Sequence, residues 1–251
     1  MPDSPFLSLV IPAYREATRL PRTLEELARY GTGLGFPFEV WIVVEPGGDE
    51  TLEIAAAFAA RQAHFHVIEN PVHRGKGFAV RTGMLRARGE LVFYMDADLS
   101  VPLRDVDAFV AHFQAHPEVD VLIGNRQHSR SRITQAQSWL RRTMGQTFNR
   151  ILRFVALAPA HDTQCGFKAF RQTAAQDIFS RQQLDGFAFD VEVLLLAERL
   201  GYHIADLPVE WINSPESKVR IVSDSLKMLG DALQVRRLVE KTLARYPAIN
   251  R

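Results

Sequence analysis

Two aspartates, Asp96 and Asp98, stand one residue apart directly after the apolar run Leu91–Met95. The run has the length of a buried strand, and ligands of parallel α/β sheets bind beyond the carboxyl ends of the strands. Two carboxylates at such an end offer hard oxygen ligands, which suit Mg²⁺ or Mn²⁺ that already carries a diphosphate. The alternative is that Asp98 only caps a following helix, which Pro102 near its first turn indicates. We favour the metal site, because other groups suited to phosphate occur in the chain.

A long segment of the chain is basic and contains no acidic residue. No Asp or Glu occurs from position 121 to position 161, whereas arginines recur there among apolar and aromatic residues. Such a basic amphipathic segment suits a phosphate-bearing partner or an anionic lipid surface, although a solvated charged face is the simpler alternative. Lys218 and Arg220 form a second basic loop further on.

Alternating strands and helices must position these groups. Apolar runs predict strands at residues 6–11, 38–44, 64–68, 91–95, 119–123 and 203–211, and a short strand entered by the loop at 162–170. Helical periodicity predicts helices at about 15–30, 51–60, 77–87, 103–114 and 187–200, with an amphipathic helix after position 221. This repetition predicts an α/β fold with a mostly parallel, right-handed doubly wound sheet flanked by helices. Asp190 and Glu192 open one helix two positions apart, so they cannot share one of its faces.

Composition excludes several classes of protein. The chain has 251 residues with a net charge of +1, so it fits one domain and predicts no attraction to nucleic acid. The single Cys165 excludes an internal disulfide framework and a cysteine-based zinc site. Neither a secretory signal nor an apolar stretch of transmembrane length is evident, and no GxGxxG or Walker lysine loop occurs. We therefore expect a cytoplasmic protein, soluble or peripheral on the cytoplasmic face of a membrane.

Six motifs, taken together and in order, resemble the family 2 glycosyltransferases of the A-type, Rossmann-like fold. They are Val10-Ile-Pro-Ala-Tyr-Arg-Glu16, Asn70-Pro-Val-His-Arg-Gly-Lys-Gly77, Asp96-Ala-Asp98, Asp162-Thr-Gln-Cys-Gly-Phe-Lys168, Phe189-Asp-Val-Glu192 and Ser217-Lys218-Val219. The similarity spans roughly residues 6–240 and is greatest to the dolichyl-phosphate (polyprenyl-phosphate) beta-glucosyltransferase branch. The string that starts at Asp162 is particular to that branch.

The resemblance implies a nucleotide-sugar donor, a UDP-sugar, bound across the carboxyl ends of the first strands with Mg²⁺ or Mn²⁺. It assigns the metal to Asp96 and Asp98, and the nucleotide to a larger set: Pro12, Ala13, Tyr14, Glu16, Glu45, Gly75, Lys76, Gly77, Asp96, Ala97 and Asp98. Glycines at 75 and 77 would let the backbone approach the nucleotide closely, although the same loop would also suit a plain helix-initiating turn. Glu45-Pro46 replaces the family's usual aspartate pair; Glu45 can still accept a hydrogen bond from a base N–H.

The acceptor decides which residues are catalytic. A polyprenyl or dolichyl phosphate is already an oxyanion, so it needs cations that orient it, which the sequence offers at Arg126, Arg141, Arg142, Lys168, Lys218 and Arg220. Lys168 could equally pair with Asp162. A sugar hydroxyl would instead need a general base, for which Asp190 is the candidate; a helix N-cap is its simpler role. Asp98 and Asp190 are therefore the predicted catalytic residues.

The sequence thus predicts a metal-dependent inverting transferase that moves a hexose, with glucose the first choice, from a UDP-sugar to a polyprenyl phosphate. Within one domain, residues 6–125 would bind the nucleotide-sugar, residues 126–220 the acceptor, and residues 221–251 would form the C-terminal amphipathic helix. That helix could contact a bilayer, a membrane-protein partner or a second copy of the chain. Transfer to a sugar hydroxyl, nucleotidyl transfer and a non-enzymatic binding role are the alternatives.

Overall fold

The computed structural model describes residues 4–133, 162–212 and 221–246. Its strands are β1 (Leu7–Ala13), β2 (Phe38–Val44), β3 (Phe65–Glu69), β4 (Leu91–Met95), β5 (Val121–Asn125), β6 (Arg132–Ile133), β7 (Phe167–Arg171), β8 (Ile204–Pro208) and β9 (Glu210–Trp211). Its helices are α1 (Leu20–Thr32), α2 (Thr51–Ala59), α3 (Lys76–Arg86), α4 (Arg104–Ala115), α5 (Gln172–Arg181), α6 (Phe189–Arg199) and α7 (Ile221–Arg245).

Seven strands form one sheet in the order β3-β2-β1-β4-β7-β5-β8, and β6 pairs with β9 in a small separate sheet. Successive residues of β1 point to opposite faces, because side chains alternate along a strand. Leu9 and Ile11 pack with α1, α2 and α4, whereas Val10 packs with α3, α5, α6 and α7. Helices therefore cover both faces, which confirms the predicted α/β fold.

One strand of the main sheet runs against the others. β7 is antiparallel to both β4 and β5, while the remaining pairs of the sheet are parallel. Met95, the last residue of β4, pairs with Phe167, the first residue of β7. The loop that enters β7 consequently lies at the edge where β4 ends, beside the aspartate pair.

The structure differs from the predicted elements at four places, one of which is the short strand β6, which was not predicted. The predicted strand at 203–211 divides at the buried Val209 into β8 and β9, which belong to different sheets. Helix α5 was not predicted. Helix α1 begins at Leu20 rather than near residue 15, because Arg15 has a left-handed backbone (φ +55°) and the Glu16 N–H donates to Thr51 Oγ1 instead.

Helix α7 packs on α6 through Val235 and Val239, which are buried. No helix within the described ranges is both long enough and apolar enough to cross a bilayer. The division into donor and acceptor halves stays a prediction. Beyond residue 125, β7 and β8 join the same main sheet as the earlier strands.

Candidate active site

The turn after β4 carries the aspartate pair, and helix α1 supports it. Thr23 Oγ1 of α1 donates a hydrogen bond to the Ala97 carbonyl at 2.6 Å. The next turn is tight, since Leu99 adopts a left-handed φ of +48° and its N–H donates to the Asp96 carbonyl at 3.1 Å. These contacts fix the backbone that carries both carboxylates.

Asp98 does not cap helix α4. Its Oδ1 accepts hydrogen bonds from the N–H (3.0 Å) and the hydroxyl (2.6 Å) of Ser100. Helix α4 starts later, at Arg104, and Leu103 before it makes no side-chain cap. Arg19 Nη1 lies 3.9 Å from Asp98 Oδ2. The helix-capping alternative for Asp98 is therefore not what the structure shows.

Asp96 forms an ion pair with Lys76, the first residue of α3. Lys76 Nζ lies 2.6 Å from Asp96 Oδ1. Burial lowers the pKa of Lys76, but the carboxylates of Asp96, Asp190 and Asp98 outweigh it and raise the pKa above its ordinary value. The other oxygen of Asp96 packs on Gly166, where an added Cβ would lie 2.0 Å from Oδ2. Asp96 is thus held between α3 and the loop that enters β7.

The chemistry of these donors fits a Mg²⁺ or Mn²⁺ ion. Asp96 and Asp98 supply hard carboxylate oxygens, and their side chains are 31% and 20% exposed. Ions that act on phosphates are commonly held by one or two carboxylates, with phosphate and water completing the coordination. In the described part of the chain no group of three or more His, Cys, Asp or Glu side chains that could hold a metal ion occurs.

Glu45, which follows β2, holds the loop that precedes α3. Its carboxylate accepts hydrogen bonds from the backbone N–H of Gly75 (3.0 Å) and Arg74 (3.4 Å), and it pairs with His73 Nδ1. The Asn70 amide lies 3.5 Å away. Glu45 is only 2% exposed. The structure thus places this carboxylate on its own protein's loop, rather than open to the base N–H that the sequence analysis considered.

Tyr14 lies at the end of β1 and stacks on His73, with ring centroids 4.0 Å apart and planes 9° from parallel. Pro12 and Ala13 are the last residues of β1 and precede it directly. Glu16 forms a bidentate pair with Arg19, with contacts of 2.8 and 2.9 Å. These four residues, which the resemblance assigns to the nucleotide, therefore gather at one edge of the sheet.

The glycines beside Lys76 accommodate a neighbouring loop. Gly75 has a φ of +125°, and an added Cβ there would lie 2.7 Å from the Asp185 carbonyl. A Cβ on Gly77 would lie 2.5 Å from the Leu184 carbonyl. Asp185 is in turn bound by Arg74. The small size of these glycines is thus required by the loop at 182–186. The resemblance had implied close approach of a nucleotide, with a plain helix-initiating turn as the alternative.

Asp190 faces the interior beneath the site. Its Oδ1 accepts a hydrogen bond from the Tyr94 hydroxyl (2.5 Å) and forms an ion pair with Lys168. Burial and the adjacent Asp190 carboxylate raise the pKa of Tyr94 well above its ordinary value, so this hydroxyl stays a donor. Helix α6 begins at Phe189 after Ala188, without a side-chain cap. The structure therefore assigns Asp190 a buried partner rather than an N-cap role.

The nominated acceptor cations that the structure describes are both bound internally. Lys168 has no exposed surface, and its ammonium donates to Asp190 and to the Cys165 carbonyl, so it does not reach a surface phosphate. Arg126 holds Asp162 through contacts of 2.7 and 2.8 Å and lies over the Trp211 ring. The remaining nominees lie outside the described residues: Arg141, Arg142, Lys218 and Arg220.

Arg126 and Asp162 form an ion pair where β5 ends, in which Asp162 is buried and Arg126 is partly exposed. Burial acts to raise the pKa of Asp162, but the Arg126 guanidinium holds that pKa below its ordinary value. The sequence had left open whether Lys168 pairs with Asp162. In the structure Asp162 pairs with Arg126, and Lys168 pairs with Asp190. The alternation of side chains along β7 could have indicated that Lys168 is buried, because Lys168 shares a face of the strand with the buried Phe170. A buried lysine requires an internal carboxylate.

Several contributors to the site were not singled out from the sequence. Arg19, His73 and Tyr94 each contact a predicted site residue, although the sequence assigned none of them a role; His73 lies within the motif Asn70–Gly77. Tyr94 could have been found from the sequence, because it carries a hydroxyl inside an otherwise apolar buried strand and so needs a hydrogen-bond partner.

Solved structures with the same arrangement define the class of fold. Glucosyl-3-phosphoglycerate synthase from Mycobacterium tuberculosis, solved with Mg²⁺ and UDP, has a TM-score of 0.62 with 16% sequence identity. The match covers 98% of this chain and 81% of that one. TarS from S. aureus gives a TM-score of 0.57 with 16% identity over 96% of this chain and 72% of that one. The fold is that of the A-type glycosyltransferases.

The chain belongs to glycosyltransferase family 2, because the family model described as "Glycosyl transferase family 2" matches residues 8–179. It is a glycosyltransferase. Its similar relatives include the Drosophila melanogaster dolichyl-phosphate beta-glucosyltransferase, at 34% identity over 93% of this chain and 76% of the relative. The Trichomonas vaginalis enzyme of that name is 32% identical over 93% and 74%. The Homo sapiens enzyme is 31% identical over 93% and 76%. The resemblance to this branch is thus confirmed.

Proposed function

We propose that this protein transfers a hexose from a UDP-sugar to a polyprenyl or dolichyl phosphate in a metal-dependent, inverting reaction. Glucose is the first choice for the hexose. The observation that carries the proposal is the meeting of Asp96, Asp98 and Lys76 at the carboxyl edge of the sheet, in a chain whose relatives are named dolichyl-phosphate beta-glucosyltransferases. Asp96 and Asp98 are the proposed metal ligands and Lys76 the proposed diphosphate contact.

The donor side has the charges that a leaving nucleoside diphosphate requires. A divalent ion on Asp96 and Asp98 would act as a Lewis acid and neutralise the charge that grows on the diphosphate. Lys76 stands at the N-terminus of α3, where the helix dipole also favours an anion. Tyr14 at the end of β1, which stacks on His73, is the proposed aromatic contact of the base. Each of these groups favours binding of a nucleotide-sugar over a neutral sugar.

The phosphate acceptor is supported by the names of the relatives and by the acid-free basic segment. A lipid phosphate attacks as an oxyanion and needs no proton removed, so cations suffice to orient it. Arg141, Arg142, Lys218 and Arg220 are the proposed contacts on the evidence of the sequence. Arg126 and Lys168 are proposed to act indirectly, by holding the Asp162 loop and Asp190 in place.

Asp190 separates this function from its alternative, transfer to a sugar hydroxyl. A hydroxyl acceptor requires a general base that accepts its proton during the attack, worth about 10²- to 10⁴-fold in rate. Asp190 has both of its contacts on Oδ1, with Tyr94 and Lys168. That arrangement supports a positioning role, in which Asp190→Asn reduces turnover only in part.

We further propose a peripheral site of action on the cytoplasmic face of a membrane. The described part of α7 buries Val235 and Val239 and exposes Arg237, Lys241 and Arg245. Exposed cations of this kind favour an anionic lipid surface, each by about 1 kcal/mol near the membrane. Sedimentation with vesicles of neutral and of anionic lipid tests this point, because only the anionic vesicles should carry the protein down at low salt.

The test of the function is a donor-by-acceptor assay. UDP- and GDP-sugars are crossed with a short polyprenyl phosphate and with simple sugars, with Mg²⁺, with Mn²⁺ and with a chelator. We expect lipid-linked product from UDP-glucose that requires the metal and is lost in Asp98→Ala. Glu53→Gln, an exposed carboxylate on α2, is the matched control and should retain full turnover.

The other outcomes decide between the alternatives. Transfer only to sugar hydroxyls, abolished by Asp190→Asn, would replace the phosphate acceptor with a hydroxyl and make Asp190 the base. Transfer from a GDP-sugar alone would refute the UDP assignment. Transfer undiminished by the chelator would refute the metal.

A further inference from the structure

The Lys76–Asp96 ion pair occupies the position that the proposed function gives to a metal ion. Lys76 Nζ lies 2.6 Å from Asp96 Oδ1, and both side chains are partly exposed, at 18% and 31%. A divalent cation and an ammonium cannot both sit on the same carboxylate oxygen, because their charges repel strongly at such distances in a partly buried site. Metal binding at Asp96 Oδ1 therefore requires that Lys76 leave it.

Asp96 has little room to serve both cations at once. Its second oxygen packs on the Gly166 backbone, where even an added Cβ would lie 2.0 Å from Oδ2. The loop that enters β7 thus covers one side of the carboxylate, and Lys76 holds the other. Asp98 differs, since its Oδ1 is held only by Ser100 and its Oδ2 lies 3.9 Å from Arg19.

The charges around the site also oppose binding of a bare divalent ion. Most carboxylates near the pair already have a cationic partner: Asp96 with Lys76, Glu16 with Arg19, and Asp190 with Lys168. Asp98 has a more distant cation, since Arg19 Nη1 lies 3.9 Å from its Oδ2. Among the described residues, a bare metal ion therefore meets carboxylates that mostly have cationic partners already, and it must also displace an ammonium.

We propose that Lys76 is a charge shuttle, which holds Asp96 while the site is empty and moves to the donor's diphosphate when the metal binds. A diphosphate supplies the new anionic partner that Lys76 needs when it leaves Asp96. Metal and nucleoside diphosphate would then bind as a unit, and neither would bind well alone. The inference rests on the proposed function and adds to it the group that couples the two ligands.

If Lys76 couples the two ligands, its removal should change the affinities for metal and for nucleotide in opposite directions. Without the ammonium, Asp96 is open to a metal ion, so Lys76→Met should bind the bare metal more tightly. The same change removes a diphosphate contact, so it should bind the nucleotide more weakly. By thermodynamic reciprocity, the factor by which nucleotide tightens metal binding must equal the factor by which metal tightens nucleotide binding, and both must fall together.

Electron paramagnetic resonance of free Mn²⁺ measures this directly, without turnover. Mn²⁺ is titrated into the whole chain alone, with UDP and with inorganic pyrophosphate, for wild type, Lys76→Met, Lys76→Arg and Arg86→Met. Arg86 is an exposed cation at the far end of the same helix, so its variant controls for the loss of one positive charge. Thermal unfolding in chelator checks that each variant is folded.

We expect UDP to tighten Mn²⁺ binding to wild type at least about tenfold, roughly 1.4 kcal/mol of coupling. Lys76→Met should bind Mn²⁺ alone about three- to tenfold more tightly than wild type. UDP should then tighten Mn²⁺ binding by a smaller factor than in wild type, because only the direct contact between metal and diphosphate remains. Lys76→Arg and Arg86→Met should keep the wild-type affinity for Mn²⁺ alone and its wild-type tightening by UDP. Weaker or unchanged binding of Mn²⁺ alone to Lys76→Met, or full coupling in that variant, would overturn the shuttle.

The pyrophosphate arm separates this inference from the proposed function. Coupling through Lys76 with pyrophosphate but not with UDP would leave the shuttle standing and remove the uridine donor. Coupling with UDP that is undiminished in Lys76→Met would leave the donor standing and remove the shuttle. Absence of coupling with either ligand in wild type would refute both.

Discussion

Lys168 Nζ donates to Asp190 Oδ1, and this ion pair joins strand β7 to helix α6 inside the core. Lys168 has no exposed surface and Asp190 is 3% exposed. Tyr94, which pairs with Lys168 across β4 and β7, donates to the same oxygen. A buried charge is costly unless it is paired and hydrogen-bonded, so these three side chains depend on one another. Asp190 is held rigidly at the site by groups behind it.

Lys168→Met should destabilise the protein by about 3–5 kcal/mol, because it leaves the Asp190 carboxylate buried without its cation. Chemical denaturation by urea measures the change. The double variant Lys168→Met/Asp190→Asn should lose less than the sum of the two single variants, since neither charge is then left alone. Lys241→Met, an exposed cation on α7, should change stability by less than about 0.5 kcal/mol. Additive losses in the double variant would show that the two charges are not coupled.

The local sequence was sufficient to predict the edge of the sheet where the site lies. Strand β4 is a short apolar run that ends in Asp96, and the carboxyl ends of neighbouring parallel strands meet at one edge. Lys76 could also be placed there, because its loop follows the predicted strand β3. These features depend on residues close together in the chain, so their pattern is visible in the sequence.

The partners of the charged side chains could not be predicted in the same way. Lys168 could have paired with Asp162 or with Asp190, and the choice depends on the direction of β7 and on where α6 packs. Both are set by contacts between distant segments. Glu45 similarly turned inward to the loop at 73–75, which is 28 or more positions away in the chain.

Gly166→Ala should disable the proposed metal site while leaving the fold intact. An added Cβ would lie 2.0 Å from Asp96 Oδ2, so the carboxylate must move away from its position beside Lys76. We expect at least about tenfold weaker Mn²⁺-dependent binding of UDP, which corresponds to about 1.4 kcal/mol. Isothermal titration calorimetry measures it. Gly35→Ala, where an added Cβ meets nothing within 4 Å, is the control. Unchanged binding in Gly166→Ala would mean that Asp96 is not a ligand.

Glu192 makes the stability of the protein depend on pH. Burial raises the pKa of this carboxyl to about 7 from an ordinary value of 4.5, against the opposing effect of its hydrogen bonds from the Leu184 and Gln183 N–H groups. Between pH 4.5 and about pH 7, the folded state therefore holds a proton that the unfolded state has released. Stability contributed by the protonated form is complete below pH 4.5 and is lost as pH rises to about 7.

Glu192→Gln should remove up to roughly 3 kcal/mol of this pH dependence, since each pKa unit is worth about 1.36 kcal/mol. Urea denaturation at several pH values between 4.5 and 7.5 measures the slope of stability against pH. Glu53→Gln, an exposed carboxylate on α2, should keep the wild-type slope. A wild-type slope in Glu192→Gln would show that this carboxyl is not the group that titrates.

Glu45→Gln tests whether this carboxylate reads the base or holds the loop before α3. The contacts favour the loop, because Glu45 accepts from the N–H groups of Arg74 and Gly75 and pairs with His73, all directly before Lys76. A group that only positions Lys76 acts on the diphosphate that every nucleotide shares. We therefore expect Glu45→Gln to weaken UDP, GDP and inorganic pyrophosphate by a similar factor, about three- to tenfold, in competition binding with Mn²⁺.

A carboxylate that hydrogen-bonds the uracil ring would behave differently. Its loss would weaken UDP by about 1–3 kcal/mol, as for removal of one partner of a buried hydrogen bond, and would leave pyrophosphate unaffected. The ratio of UDP to pyrophosphate affinity is thus the deciding quantity. A constant ratio assigns Glu45 to the loop and leaves base selection to other groups at the end of β1, such as Tyr14, which stacks on His73. A ratio that falls in Glu45→Gln assigns base selection to Glu45 itself.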